Sequence, residues 1–314
     1  MKFGLHNNSF LTNAGPAEEI FPELKTRAQW LENNGFSYIS FMDHFWQIPG
    51  VGPAEQSFME PWVTMGAVAA TTEKINITTM VTSVGYRNPA LLAKMATTLD
   101  VISGGRSILG IGAGWYEAEY KGYGYEFPKA STRLSQLRDA VRLIKSLWSE
   151  GSSTYEGKHF VTRDAVLEPK ALQKPRPRIL IGGGGEKVTL RIVAEEADLC
   201  NFMMANPEVF RHKLNLLRNY CNEQGRDASE IEVTKLDRLC LAPTEALAEE
   251  KWNARGGRLP EGYRSLVGTA EQAIKRLQEF ERLGLNTVFV SVANEDYESL
   301  EIFSDQVIPA LSST

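Results

Sequence analysis

A strand–helix–strand pattern at residues 75–115 constrains the fold of this chain more than any other feature. Residues 75–84 form an apolar, β-branched run, which is typical of a strand that is buried on both faces. Asn88 and Pro89 provide a cap and a first-turn proline for a helix, and residues 107–111 form a second apolar strand. Two such strands joined by one helix predict a βαβ unit with parallel strands and a right-handed crossover.

The same alternation of short apolar strands and amphipathic helices continues along the whole chain. Eight strands are predicted, at residues 2–8, 37–42, 75–84, 107–111, 178–181, 199–203, 231–239 and 286–292. Eight strands alternating with helices are typical of a (β/α)8 TIM barrel, and a doubly wound open sheet is the structural alternative. We expect one domain over residues 1–314, with insertions after the fourth strand and after the seventh, the latter at residues 241–268.

Composition excludes several classes of function. The formal net charge of −5 argues against a nucleic-acid-binding surface. No apolar run reaches the roughly 18 residues of a membrane span, and no signal peptide is indicated. Cys200, Cys221 and Cys240 form no CxxC pair, which indicates a reducing compartment and no cysteine-based metal site. We therefore expect a cytoplasmic protein that binds no nucleic acid, no membrane and no metal.

In a (β/α)8 barrel the functional residues lie where the strands end. The second strand ends on Asp43 and His44, and a histidine there is suited to proton transfer near neutral pH. A structural pair that is hydrogen-bonded to the backbone is the alternative. The loop at residues 110–114 lacks the GxGxxG spacing of a dinucleotide fingerprint, which disfavours a Rossmann fold.

Four consecutive glycines follow the fifth predicted strand, at Gly182, Gly183, Gly184 and Gly185. Because a helix is predicted directly after them, their amides are placed to face an anion at its N-terminus. The alternative is a tight turn that needs a positive φ. The run lacks the lysine and hydroxyl residue of a P-loop, so hydrolysis of a nucleoside triphosphate is not expected.

Three segments resemble the bacterial luciferase-like monooxygenase superfamily. They are MDHFWQIPGVGP at residues 42–53, TSVGYRNPALLAKMATTLDVISGGRSILGIGAGW at 82–115 and ILIGGGGEKVTLRIVAEEAD at 179–198. Within that superfamily, HFWQIPGVGP most resembles the oxidoreductases that depend on the deazaflavin coenzyme F-420. The resemblance implies a (β/α)8 barrel with its cofactor at the carboxyl ends of the strands.

The resemblance also implies roles for individual residues. His44 matches the histidine that acts on a proton or stabilises the hydride step, and Asp43 matches the aspartate beside it at the cofactor. Ser83 and Val84 match the position of a non-proline cis peptide behind the deazaflavin ring. The remaining predicted cofactor-binding positions are Tyr86 at the same strand end, Ala113 and Gly114, and Gly182, Gly183, Gly184 and Gly185.

Two positions depart from the sugar-phosphate dehydrogenases of this family. Trp115 stands where those enzymes carry a glutamate, and Ile48 stands where they carry a tryptophan. Oxidation of a sugar phosphate by their mechanism is therefore not expected here. Glu117 and Glu119 are candidates for an acid or base, with a solvated helical face as the alternative, and Glu117 is the candidate for the replacement acid.

These features predict an F-420-dependent oxidoreductase that transfers a hydride between the deazaflavin and a small organic substrate. The first alternative is an FMN-dependent monooxygenase that receives reduced flavin from a partner reductase. The second alternative is a protein that binds flavin or deazaflavin without turnover. Because relatives of this kind are often dimers, we expect a homodimer.

Overall fold

Eight parallel strands form a closed barrel in the computed structural model, which describes residues 1–10, 16–149, 151–203, 206–257, 266–293 and 296–312. In chain order they are Lys2–Asn7 (β1), Tyr38–Phe41 (β2), Asn76–Thr79 (β3), Ser107–Gly112 (β4), Arg178–Gly182 (β5), Leu199–Met203 (β6), Glu232–Leu241 (β7) and Thr287–Ser291 (β8). Each strand pairs with the next one, and β8 pairs with β1. The (β/α)8 prediction is confirmed, and the doubly wound open sheet is excluded.

Helices follow the strands and cover the outside of the barrel. They are Ala17–Asn33 (α1), Pro61–Ala69 (α2), Pro89–Ser103 (α3), Glu117–Gly122 (α4), Ala130–Trp148 (α5), Thr189–Glu196 (α6), Pro207–Glu223 (α7), Glu245–Ala254 (α8), Ala270–Leu283 (α9), Tyr297–Ile302 (α10) and Ile308–Ser312 (α11). Asn88 caps α3 and Gly104 ends it in the left-handed conformation, as its sequence predicts. Thr269 and Gln272 form a capping box at the start of α9.

The third predicted strand is interrupted. Its apolar run at residues 75–84 divides into β3 and a two-residue strand, Thr82–Ser83, which pairs with β4. The non-proline cis peptide lies between them, at Met80–Val81. The prediction of a cis bond at Ser83–Val84 is therefore wrong by three residues. Because β-branched and apolar residues continue on both sides of the break, the sequence pattern does not mark it.

Extra elements lie outside the regular alternation. An antiparallel hairpin, Ser152–Glu156 with Val161–Val166, follows α5 and lies between β4 and β5. Residues 241–268 contain α8 and a short strand, Leu266–Gly268, that pairs with the end of β7. Residues 258–265 of this predicted insertion lie outside the described residues.

Side chains fill the inside of the barrel at the amino-terminal ends of its strands. An apolar group of side chains occupies the interior: Tyr38, Met80, Ile108, Leu180, Leu199, Leu236 and Phe289. Below it, the Glu232 carboxylate accepts hydrogen bonds from Tyr38 Oη at 3.0 Å and Thr287 Oγ1 at 2.6 Å. Arg178 and Lys2 add cationic contacts at 2.9 and 3.2 Å. A ligand that reaches the barrel centre therefore has the carboxyl end as its entrance.

The structure shows how deeply the three cysteines are buried and how long and apolar the helices are. Cys200, Cys221 and Cys240 are all buried and free. Burial raises the pKa of the Cys200 thiol to about 12, so this group stays protonated at neutral pH. No helix in the described part of the chain is long and apolar enough to cross a membrane.

Candidate active site

A cavity of about 600 Å³ opens at the carboxyl end of the barrel. All eight strands, or the residues directly after them, contribute to its wall, from His6 on β1 to Ser291 on β8. Its volume lies within the range of sites that bind small molecules and cofactors. The site therefore depends on the whole sheet rather than on one loop.

A buried carboxylate positions the histidine of this cavity. Glu119 on α4 has no exposed side-chain surface, and its Oε2 lies 2.5 Å from Nδ1 of His44. Tyr86 donates its hydroxyl to the same oxygen at 2.6 Å. The backbone N–H groups of Phe45 and Trp46 donate to Oε1, the latter at 3.3 Å. Four donors thus converge on one carboxylate directly beside the strand that presents His44.

The ionisation of Glu119 fixes the orientation of the imidazole. Burial by itself raises the pKa of the Glu119 carboxyl, but hydrogen bonds from His44, Tyr86 and the backbone outweigh it and hold this pKa below its usual value. Burial and the hydrogen bond to Glu119 raise the pKa of Tyr86, so its phenol remains a donor. Because an ionised carboxylate can only accept, Nδ1 of His44 is the donor, and Nε2 is left for a ligand.

Asp43 does not hold His44 in this arrangement. Its carboxylate receives both terminal nitrogens of Arg87, at 2.5 and 3.1 Å, and Trp62 Nε1 at 3.2 Å. Arg87 also contacts Glu60 at 2.5 Å. A forked guanidinium–carboxylate pair of this kind is geometrically specific. Asp43 therefore ties the end of β2 to the start of α3 and α2, while its neighbour faces Glu119.

His6 forms part of the cavity wall next to this pair. Its Nδ1 lies 2.9 Å from Oγ of Ser40, and the side chain is buried. Burial, followed by the positive charge that His44 carries when protonated, lowers the pKa of His6 to about 3. His6 is therefore neutral at ordinary pH, and it is not a second proton carrier there.

Glycines bring the backbone close together on the opposite wall. A Cβ added at Gly112 would lie 2.7 Å from Val81 Cγ2, and one at Gly182 would lie 2.8 Å from Val81 Cγ1. Gly114, at φ +76°, leaves room for the hydrogen bond between Ser83 Oγ and Tyr120 Oη. Larger residues at these positions would displace the segment that carries Val81 into the cavity.

The four-glycine run differs from its prediction in one respect. Helix α6 begins at Thr189, so the run does not open the helix directly. Lys213 on α7 instead reaches the run and donates to the carbonyl of Gly184 at 2.5 Å. Glu186 lies 3.7 Å from the same ammonium group. The glycine run is therefore held by Lys213 on α7, and it does not lie directly at a helix N-terminus.

Most of the predicted site residues meet at this cavity. Its lining includes Asp43, His44, Ser83, Tyr86, Ala113, Gly114, Gly182, Gly183 and Gly184. Val84 and Gly185 do not line it. Val84 is buried in the apolar core, and Gly185 packs against Thr189.

Of the two glutamates that the sequence offers as an acid or base, Glu119 packs inward against His44, whereas Glu117, the candidate for the replacement acid, does not reach the cavity. Glu117 is 53% exposed and pairs with Lys121 at 2.8 Å on the outer side of α4. Two helical positions correspond to a rotation of about 200°, so Glu119 faces the opposite way. The helical spacing of the two glutamates was the available signal, since only one of them can face the barrel.

Aromatic rings close the rim above His44. Trp115 and Tyr116 stack with centroids 5.1 Å apart, and both rings contact His44 edge-on, at 5.9 and 6.1 Å. Trp115 remains 59% exposed and lines the cavity. The position directly after Gly114 therefore presents a flat apolar surface instead of a carboxylate.

Comparisons with known proteins agree with this geometry. A protein of Kineococcus radiotolerans named F420-dependent glucose-6-phosphate dehydrogenase is 36% identical over 55% of this chain and 50% of its own. One of the same name from Microbacterium testaceum is 27% identical over 89% of this chain and 90% of its own. A solved F420-dependent secondary alcohol dehydrogenase, in complex with an F420-acetone adduct, superposes with a TM-score of 0.82. It is 21% identical and covers 98% of both chains, which supports the fold.

A family model extends this similarity to most of the sequence. The model described as luciferase-like monooxygenase matches residues 1–260, which include seven of the eight barrel strands and every predicted site residue. The chain belongs to the luciferase-like monooxygenase family.

Proposed function

We propose that this protein is an F-420-dependent oxidoreductase that transfers a hydride between the deazaflavin and a small organic substrate. The observation that carries the proposal is the buried Glu119–His44 pair, which leaves Nε2 of His44 to a cavity of cofactor size. The glucose-6-phosphate dehydrogenases of Kineococcus radiotolerans and Microbacterium testaceum are named for the same coenzyme. When bound, the coenzyme supplies the hydride chemistry, and the protein supplies position and proton control.

The residues present fit a deazaflavin with an anionic tail. Gly112 and Gly182 leave room for the side chain of Val81 between them, and Val81 adds apolar surface to the cavity wall. Gly183 and Gly184 form the wall on the β5 side. Lys213 holds this wall in place through the carbonyl of Gly184. Val81 would support the ring, and Gly183 and Gly184 would hold the tail.

His44 is the proposed catalytic residue. A hydride leaving an alcohol carbon requires loss of the hydroxyl proton, and a neutral Nε2 is a suitable acceptor. Glu119 holds Nδ1–H and stabilises the ring when it becomes charged, so it is a positioning residue. Tyr86 completes the arrangement by holding Glu119 in place.

We propose cofactor contacts for the predicted residues that line the cavity: Asp43, Ser83, Tyr86, Ala113, Gly114, Gly182, Gly183 and Gly184. Direct contact of Val84 and Gly185 with the cofactor stays a prediction, because neither residue lines the cavity. The departures at Trp115 and Ile48 argue against oxidation of a sugar phosphate, although the relatives described above carry that activity in their names.

An FMN-dependent monooxygenase is the second candidate, because the family itself is described as luciferase-like monooxygenase. Deazaflavin carries a carbon where flavin carries N5 and reacts poorly with oxygen, so coenzyme preference separates the two functions. The deciding experiment titrates the purified protein with oxidised F-420 and, separately, with FMN, followed by tryptophan fluorescence. We expect F-420 to bind at least about tenfold more tightly, a difference near 1.4 kcal/mol. The opposite order would support the monooxygenase and its partner reductase.

A non-catalytic binding protein is the third candidate, and turnover tests it. We expect F-420-dependent conversion of at least one small alcohol or carbonyl compound, lost in the His44→Ala variant while F-420 binding persists. Absence of turnover by the wild type across a broad panel would favour the binding protein instead. Turnover that survives in His44→Ala would overturn the role of this residue.

Several broader predictions accompany the proposed function. One closed sheet draws strands from residues 2–291, which supports a single domain over residues 1–314. A homodimer and a cytoplasmic location are also proposed. Sedimentation at micromolar concentration tests the dimer.

A further inference from the structure

A side chamber opens from the cavity between the ends of β1, β7 and β8. Its volume is about 200 Å³, and it shares Asn8, Val51, Arg238 and Ser291 with the main cavity. Trp252 on α8 forms part of its outer wall. A molecule in the main cavity can therefore extend a substituent into this chamber.

The chamber lies across the barrel from the wall proposed for the cofactor. In the ring of strands β5 stands opposite β1, and β4 stands opposite β8, because each strand pairs with the next one in the chain. The glycines that face the coenzyme follow β4 and β5, whereas the chamber adjoins β1, β7 and β8. His44 follows β2, the neighbour of β1. The chamber therefore lies on the side proposed for the substrate.

The described lining of the chamber contains two arginines and no carboxylate. The charge of Arg255 is compensated, since its guanidinium contacts the buried Asp296 at 2.5 Å. Arg238 differs, because its described partner is the carbonyl of Gly50 at 3.2 Å. No carboxylate of the described residues lies within ion-pair distance of it. A guanidinium has five N–H donors, so Arg238 retains donors and a net charge at the wall.

We propose that Arg238 binds an anionic oxygen group, a carboxylate or a phosphate, on the substrate whose reacting carbon stands at His44. This inference rests on the proposed function and specifies its substrate class. Planar, forked donors suit oxygen anions and form charge-assisted hydrogen bonds with them. The shared lining of the two cavities lets one small molecule reach both residues.

A binding experiment with small probes tests the site without knowledge of the substrate. The F-420-loaded protein is titrated with inorganic phosphate, acetate or neutral glycerol at constant ionic strength, with Trp252 as a local fluorescence reporter. We expect saturable changes with phosphate or acetate and none with glycerol, and the signal should disappear in Trp252→Phe. The anion that binds more tightly identifies the preferred group, and the absence of binding by either anion overturns the proposal.

Two arginine variants provide a matched comparison. Arg238→Gln should weaken binding of the probe anion at least tenfold, whereas Arg255→Gln, whose charge is already paired, should change it less than threefold. Both variants should bind F-420 within twofold of the wild type. Equal anion binding by wild type and Arg238→Gln overturns the assignment. Loss of F-420 binding by the wild type would instead overturn the proposed function, so the two failures are distinguishable.

Turnover gives an independent readout. Small hydroxy and oxo compounds are offered in pairs, each acid beside its neutral amide. We expect the wild type to prefer the acids, and Arg238→Gln to raise their KM at least tenfold with little change in kcat. The KM of the amides should not change. A wild type that prefers the amides, or a variant with unchanged KM for the acids, contradicts the proposal.

Discussion

Nδ1 of His44 and Oε2 of Glu119 lie 2.5 Å apart, although 75 residues separate them in the chain. The contact joins the end of β2 to the short helix α4 after β4, and it is buried from solvent on the Glu119 side. One imidazole tautomer is thereby selected before any ligand arrives. The proton acceptor of the proposed reaction is thus preorganised by a residue that does not itself line the cavity.

Replacing Glu119 by Gln should slow turnover strongly. The amide presents an N–H where the carboxylate accepted, so Nδ1 of His44 loses its acceptor and the wrong tautomer becomes accessible. We expect kcat to fall roughly 10²-fold, with a shifted pH profile and F-420 binding within about threefold. Glu117→Gln, on the exposed side of the same helix, is the control and should keep the wild-type rate. An unchanged pH profile in Glu119→Gln would contradict the positioning role.

Replacing Gly182 by Ala should damage both stability and coenzyme binding. The added Cβ meets Val81 Cγ1 at 2.8 Å, so the segment after β3 has to move. Overpacking of this kind costs about 1–3 kcal/mol, and we expect F-420 binding to weaken at least tenfold. Urea unfolding and the fluorescence titration measure the two effects.

The matched control for that substitution is Gly66→Ala. Gly66 lies inside α2 with no neighbouring atom within 4 Å of an added Cβ. Alanine there should stabilise the protein by up to about 1 kcal/mol through helix propensity. Stabilisation by both substitutions would show that Val81 adapts freely, and it would remove the argument for a close-packed support.

Replacing Glu232 by Ala should destabilise the barrel without affecting the site directly. The substitution leaves Arg178 near the barrel bottom without its carboxylate partner and removes acceptors of Tyr38 and Thr287. We expect a loss of about 3 kcal/mol in the free energy of unfolding. Glu223→Ala, which removes a half-exposed partner of Arg191, should leave the urea midpoint nearly unchanged.

The effect of Glu232 should depend on pH in a defined direction. Burial raises the pKa of its carboxyl, but Thr287 and Arg178 outweigh burial and hold it below the usual 4.5. The stabilisation is therefore complete above pH 4.5 and is lost as the pH falls through the folded-state pKa. The difference in the free energy of unfolding between the wild type and Glu232→Ala should shrink on acidification. A difference that grows would contradict this assignment.

His6 should make the protein sensitive to mild acid. Its pKa is about 3 when folded and near the ordinary 6.5 when unfolded, so the unfolded chain binds the proton first. Stability is complete above pH 6.5 and falls below it, by roughly 1 kcal/mol at pH 5.5. Urea unfolding at pH 7.5 and 5.5 should show this loss in the wild type relative to His6→Gln. Equal losses in both proteins would mean that His6 titrates normally.

The sequence predicts the scaffold well, because each strand and helix has a local signal. The apolar runs, the Asn88 cap and the ends of the strands place His44, Gly114 and the glycine run at one end of the barrel. The choice of Glu117 rather than Glu119 was wrong, because the sequence of a short helix does not reveal which of its faces packs against the barrel. The break at Met80–Val81 was missed because apolar residues continue through it.

Long-range pairings were also beyond the sequence interpretation. Asp43 and His44 are adjacent, which favours a mutual contact, yet Arg87 takes the first and Glu119 takes the second. Arg87 precedes α3 and Glu119 lies on α4, so the two partners belong to different βα units. Their positions follow from the closed sheet and not from any local pattern.

The pairing of β8 with β1 has a consequence for the synthesis of this protein. Lys2 lies opposite Thr287, so β1 is synthesised long before β8, the strand that pairs with it. Contacts between such distant segments form slowly, because most of the chain has to be ordered between them. Since the cavity draws its wall from all eight strands, a nascent chain has no complete place for a coenzyme. We therefore expect the coenzyme to bind only after β8 has been synthesised and the barrel has closed.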